Sequence, residues 1–186
     1  MEALRKDKSY TYADYASWDT EERYELIDGV PYMMAAPSIT HQRISGNLHG
    51  ELWNFLRGKP CKVFSAPLDV RLNAAADNDV DVVQPDLMVV CDRSKIDEKG
   101  CNGAPDLVIE ILSPSSISHD KLRKFNKYLQ TGVREYWIVD PYNKMVTVNI
   151  LDNGKYYNTA YGETDTVPVH ILEGCEISLS DVFAEG

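Results

Sequence analysis

Long apolar runs are missing from this 186-residue chain, and with them any stretch of the ~20 residues that a membrane-spanning helix needs. A basic excess is missing too. Against 29 Asp and Glu stand 19 Lys and Arg, for a net charge of -10. That excludes a surface that is basic all over, but not a local basic groove. Cysteine is sparse: Cys61, Cys91, Cys101 and Cys175. No pair has CxxC spacing and no histidines sit nearby at finger spacing, so the thiols are read as scattered and reduced, without zinc or a disulfide framework. There is no GxSxG turn to support a serine hydrolase. There is also no low-complexity tract, linker or repeat, so one domain is expected over 1–186. The opening MEALRKDKSY has no apolar segment behind its charges and is not read as a signal peptide. The expectation is a cytoplasmic protein with no membrane partner.

What is present reads as α/β: a mixed central sheet flanked by helices. A helix is expected from about Thr11 to Leu26, followed by a turn at Asp28-Gly29 and a strand from Val30 to Ala35. Ser38 is the expected N-cap of a helix carrying Ile44, Leu48, Leu52 and Phe55, stopped by Gly58 and Pro60. Strands are expected at Lys62–Ala66, Leu68–Leu72, Leu87–Val90 and Leu107–Leu112. Asn73–Asp79 and Asp92–Gly103 read as loops. A helix from about Ser118 to Thr131 precedes strands at Glu135–Val139, Met145–Leu151 and Tyr156–Tyr161, the last of these in antiparallel hairpins.

Two stretches write Pro-Asp-Leu before an apolar run: QPDLMVV, with Asp86, and APDLVIEIL, with Asp106 and Glu110. Asp106 and Glu110 would share a strand face but lie about 13 Å apart, too far to grip one ion. Adjacent strands are only about 4.8 Å apart, so Asp86 can meet Glu110 across the sheet. Asp106 is then a strand-opening residue behind Pro105. A carboxylate set among Leu107, Val108, Ile109, Ile111 and Leu112 needs a partner. A lysine or tyrosine in the core would serve, and so would a hard divalent cation, which takes oxygen ligands, one or two of them carboxylates. On residues alone the two readings stand level.

The cation is sought on HDKLRKFNKYLQTGV. Leu122, Phe125 and Leu129 form an apolar stripe there, flanked by Lys121, Lys124 and Tyr128, while Arg123 and Lys127 turn toward solvent. Lys124 is the first candidate and Lys121 the second. Glu25, in RYELIDG, is a third carboxylate, placed near the end of the first expected helix, where the helix dipole mildly opposes it. His41 and His49, eight residues apart, make no metal pair. His119 is read as a cap or solvent residue, His170 as isolated, and Gln84 as a substrate contact or a strand cap. The aromatics of Glu135-Tyr136-Trp137 are read as core.

The segments ERYELIDGVPYMMAAPS, VVQPDLMVV, APDLVIEILSPSS and DKLRKFNKYLQTGVREYWIVDP, in that order, resemble the Uma-type, restriction-endonuclease-like family of the PD-(D/E)XK nuclease superfamily. The resemblance runs from about Tyr10 to Val148. It implies a restriction-endonuclease-like fold and Mg²⁺- or Mn²⁺-dependent hydrolysis of DNA phosphodiesters, with a homodimer expected because a duplex has two strands. Asp86 matches the PD aspartate, Glu110 the acid of the (D/E)XK element, and Glu25 the acid supplied by the first helix. Asp86 and Glu110 would hold the metal, with the carbonyl of Ile111, and Glu25 would bind it through water or hold a second ion. The usual lysine position holds Leu112, and Lys124 from the following helix would replace it. The competing expectation is a nuclease-fold binding or assembly module without hydrolytic activity, which Leu112 and the acidic charge favour.

Overall fold

The computed structural model describes residues 8–113 and 119–185, with side chains from Leu122 onward in the helix that opens at His119. Its elements, in chain order, are α1 (Tyr12–Ala16), β1 (Tyr24–Ile27), β2 (Val30–Met33), α2 (Ile39–Leu56), β3 (Lys62–Ser65), β4 (Val70–Arg71), β5 (Val82–Val83), β6 (Leu87–Val90), β7 (Ile96–Asp97), β8 (Gly100–Asn102), β9 (Leu107–Ile111), α3 (His119–Thr131), β10 (Glu135–Asp140), β11 (Met145–Asp152), β12 (Lys155–Gly162), β13 (Thr166–Pro168), β14 (Glu176–Ser178) and α4 (Leu179–Phe183).

The main sheet has the order β12-β11-β10-β9-β6-β3. It is mixed, as expected. Only β9 and β10 run parallel within it. A parallel pair needs a crossover, and α3 supplies it. Strand alternation then sorts the core. Leu87, Val89, Leu107, Ile109, Ile111, Trp137 and Val139 pack with Ile44, Leu48, Leu52 and Leu56 of α2. The intervening Met88, Val90, Val108 and Tyr136 pack with Tyr128 of α3. Glu110 shares the parity of Val108 and so belongs to the α3 face, whereas Asp86, just ahead of β6, is met by His41 of α2.

A second six-stranded sheet, β2-β1-β5-β4-β8-β7, was not foreseen, nor was the β13–β14 pair. Several of its strands are two residues long. Such a strand is too short to show a period of its own. Two of them, β7 and β8, lie inside the expected Asp92–Gly103 loop.

The expected helix over Thr11–Leu26 is corrected. α1 opens on a capping box between Thr11 and Asp14 and ends at Ala16, with Ser17 as its C-cap. Tyr24–Ile27 is instead a strand, paired antiparallel with Val30–Met33 across Asp28-Gly29. Both turn residues have positive φ, 54° and 73°, the geometry of a tight two-residue hairpin. A Cβ on Gly29 would meet Ser9 Oγ at 2.2 Å, so only glycine fits. Pro31 is tolerated because β2 is an edge strand.

The cysteine expectation is also corrected. Cys61 and Cys91 form a disulfide, while Cys101 and Cys175 are free and buried. The bonded pair flanks the register pair Lys62↔Val90 of β3 and β6. A separation of 30 residues gives no hint of that; antiparallel pairing brings the two side by side. The strand-opening role of Asp106 is seen directly: its Oδ2 accepts the Cys91 N–H at 2.8 Å.

A candidate active site at the mouth of the main sheet

The register Leu87↔Ile109 places Asp86 across from Glu110, one step beyond the last paired residues. Asp86 is anchored by two donors to Oδ2. The Ile111 N–H reaches it at 2.7 Å and Nε2 of His41 at 3.0 Å. With Asp86 ionised, that contact puts the imidazole proton on Nε2. Ile111 therefore faces Asp86 through its amide nitrogen.

Glu110 is held from α3. Nζ of Lys124 lies 3.0 Å from Oε1, and the Tyr128 hydroxyl donates to the same oxygen at 2.6 Å. Lys124 also reaches Oε1 of Glu25 at 2.7 Å. That oxygen accepts the Gln84 N–H at 2.8 Å. Glu25 arrives from β1, not from a helix end, and is buried. One ammonium thus bridges acids from two sheets.

The inward face of α3 differs from the expected apolar stripe. Leu122 is 63% exposed. Tyr128 is fully buried, and the Lys124 side chain is only 12% exposed. The pair is four residues apart and so stacks on one side of the helix. Lys127, expected toward solvent, is instead paired with Asp28 and Asp81. The side chains of His119 and Lys121 lie outside the described residues. Leu112 is half-buried, and Lys124 is the lysine that the geometry brings to Glu110.

Burial raises the Glu110 pKa to about 7; Lys124 pulls it down, while Asp86 and Glu25 push it up further. Burial also opposes the Lys124 charge, but Glu110 and Glu25 outweigh it and hold the lysine protonated, above its ordinary range. Burial works against protonation of His41 as well, yet the Asp86 carboxylate raises its pKa overall. Among the described residues, Glu110 and Glu25 share the one Lys124 ammonium while Asp86 pairs with His41, so carboxylates outnumber the lysine.

Among the described residues no group of three or more His, Cys, Asp or Glu converges as a ready-made metal cage. Mg²⁺ does not require one, since it takes one or two protein carboxylates and completes its shell with water and phosphate. The anionic excess and the oxygen donors fit such an ion.

The model of the Uma2 family, described as "Putative restriction endonuclease", matches residues 12–180. The chain belongs to the Uma2 family. It is 31% identical over 128 residues to the uncharacterized protein slr1290 of Synechocystis sp., covering 68% of this chain and 65% of that one. It is 27% identical over 147 residues to the uncharacterized protein sll1609 of the same organism, covering 76% and 81%. The chain therefore spans just under two thirds of the first relative. A crystal structure of a nuclease, described as putative and belonging to DUF820, from Anabaena variabilis superposes with a TM-score of 0.72. It is 24% identical and covers 93% of this chain and 97% of that one. This Uma2 protein thus has the mixed α/β architecture of that fold.

His41 was weighed in the sequence only as half of a metal pair with His49, and its contact with Asp86 was missed. It opens α2 one residue beyond Ile39-Thr40, where the capping pattern marks a helix start but nothing points to a partner 45 residues away. Gln84 was noted only for its side chain, whereas its backbone N–H holds Glu25. That side chain donates to Asp69 Oδ1 at 2.9 Å and to the Tyr15 hydroxyl at 3.1 Å.

Proposed function

We propose that this Uma2 protein is a metal-dependent endonuclease that hydrolyses DNA phosphodiesters. The observation that carries the reading is Asp86 set across from Glu110, with Glu110 and Glu25 sharing the single Lys124 ammonium. Asp86 and Glu110 would hold Mg²⁺ or Mn²⁺ with the Ile111 carbonyl, and Glu25 would engage the ion through water. When bound, the ion supplies an activated water and neutralises charge on phosphate. The chain's own groups do the rest. The Ile111 N–H and His41 fix the Asp86 carboxylate, and Tyr128 and Lys124 fix Glu110. The Lys124 ammonium is positioned to orient water and to stabilise developing negative charge. A homodimer would present two such sites to the two strands of a duplex.

The test is nicking of supercoiled plasmid by purified protein with Mg²⁺ or Mn²⁺. The wild type should cut, and Asp86→Ala should lose at least about 10²-fold, the scale of a positioned catalytic group. Equal cutting by both proteins sinks the assignment of Asp86.

The reading of a binding module without hydrolysis has one observation in its favour. Lys124 and Tyr128 already satisfy Glu110 without an ion. Calorimetric titration with Mn²⁺ separates the two, because the module predicts no binding heat.

A further inference from the structure

A groove of ≈ 250 Å³ opens beside Asp86, between α2 and the end of β3. Its lining is polar and carries no lysine or arginine: His41, Gln42, Ser45, His49 and Ser65 contribute, with Gly46 and Ala66 between them. His41, Ser45 and His49 recur every four residues, so they share one side of α2. Ile44, Leu48 and Leu52 form the adjoining stripe, which packs into the core. Nδ1 of the buried His41 ring has no hydrogen-bond partner among the described residues. His49 Nδ1 lies 2.6 Å from Ser65 Oγ, which ties the helix wall to the strand wall.

We propose that this groove seats the DNA backbone adjoining the cleaved phosphate. The inference rests on the nuclease reading, since it takes Asp86 as the inner end of the track. From His41 to His49 the helix rises roughly 12 Å, at about 1.5 Å per residue. That is the axial rise of about three base-pair steps at ~3.4 Å each. Hydroxyl, amide and imidazole groups are the usual uncharged partners of phosphate and sugar oxygens. Such contacts position a strand without reading its sequence. They also add little counterion release, so the groove contributes affinity without a steep salt slope.

Gly46 provides a way to close the groove while sparing the fold. A Cβ built there meets nothing within 4 Å. In a helix interior, leucine or alanine is favoured over glycine. Gly46→Leu therefore fills the groove without a core clash, and Gly46→Ala adds one methyl as a graded control.

The experiment is fluorescence anisotropy of a labelled DNA duplex in Ca²⁺, and again in chelator, with thermal melts and Ca²⁺ calorimetry on each protein. Gly46→Leu should weaken duplex binding about tenfold or more, ~1.4 kcal/mol per factor of ten. The loss should be equal for unrelated sequences, with Ca²⁺ affinity and melting temperature unimpaired. Gly46→Ala should have a smaller effect and His49→Ala an intermediate one. Unchanged binding by Gly46→Leu overturns the groove. Binding that weakens for one sequence only overturns the backbone assignment. Groove-dependent binding by a wild type that never cuts sinks the nuclease reading and leaves the groove standing. A wild type that binds no duplex overturns both.

Discussion

Lys124 and Lys127 lie three residues apart on one helix, and each reaches two carboxylates across to another part of the molecule. The networks they enter differ in kind. Lys127 meets Asp28 and Asp81. Asp81 also accepts the Asp28 N–H at 2.8 Å and the Asn73 amide at 2.9 Å. Its neighbour Asp79 accepts the N–H groups of Asn73, Ala75 and Asp81. Those carboxylates close a loop on itself through backbone donors. Around Lys124 the acids come from strands of two sheets, with Asp86 beside them. Among the described residues backbone N–H groups reach Asp86 and Glu25, while Glu110 is held by side chains. A carboxylate fixed by backbone donors keeps its charge cheaply, whereas one crowded by two more acids does not. The first arrangement leaves its carboxylates held by fixed donors. The second leaves Glu110 with a raised pKa.

The comparison breaks most directly on the lysines. Lys124→Met should abolish plasmid cutting and destabilise the fold by about 3 kcal/mol at pH 8, because it leaves buried carboxylates uncompensated. Lys127→Met should keep cutting and cost about 1 kcal/mol, since Asp28 is largely exposed and the buried Asp81 carboxylate keeps its Asp28 and Asn73 donors. Urea unfolding and the nicking assay measure both. Equal destabilisation by the two variants would erase the distinction.

The pH dependence sharpens it next. The Glu110 pKa is raised in the folded state to about 7, so the folded protein keeps a proton that the unfolded chain has released. That contribution is full below the ordinary glutamate pKa of about 4.3 and fades as pH rises through about 7. Stability of the wild type should therefore decline across that window, and Glu110→Gln should flatten the decline. Urea midpoints at a series of pH values give the answer, and an unchanged slope in the variant would mean that Glu110 does not titrate there.

The smallest effect belongs to Tyr128→Phe. It removes one hydrogen bond, worth about 1 kcal/mol. Because that bond lowers the Glu110 pKa, its loss should move the stability decline to higher pH. A shift to lower pH would contradict the contact.

Much of this molecule is written locally. Ser38 before an apolar period marks α2, and its side chain does accept the His41 N–H at 3.2 Å. The runs at Leu87–Val90 and Leu107–Ile111 read as strands because they are short, apolar and β-branched. Period two put Asp86 and Glu110 within reach of each other once their strands were taken as neighbours. The turn at Asp28-Gly29 was also legible, but the residues before it were given to a helix, so the hairpin was missed and Glu25 was set on the wrong kind of element.

By itself the sequence determined the α/β class, the two acids and the helix that returns a lysine to them, because alternation, capping and spacing are properties of neighbouring residues. Tertiary structure alone decided that Lys124 turns inward while Leu122 faces solvent, that Cys61 finds Cys91, and that His41 meets Asp86. Those outcomes depend on register and on which face a helix presents to the sheet, and both are settled by what the whole chain can bury at once.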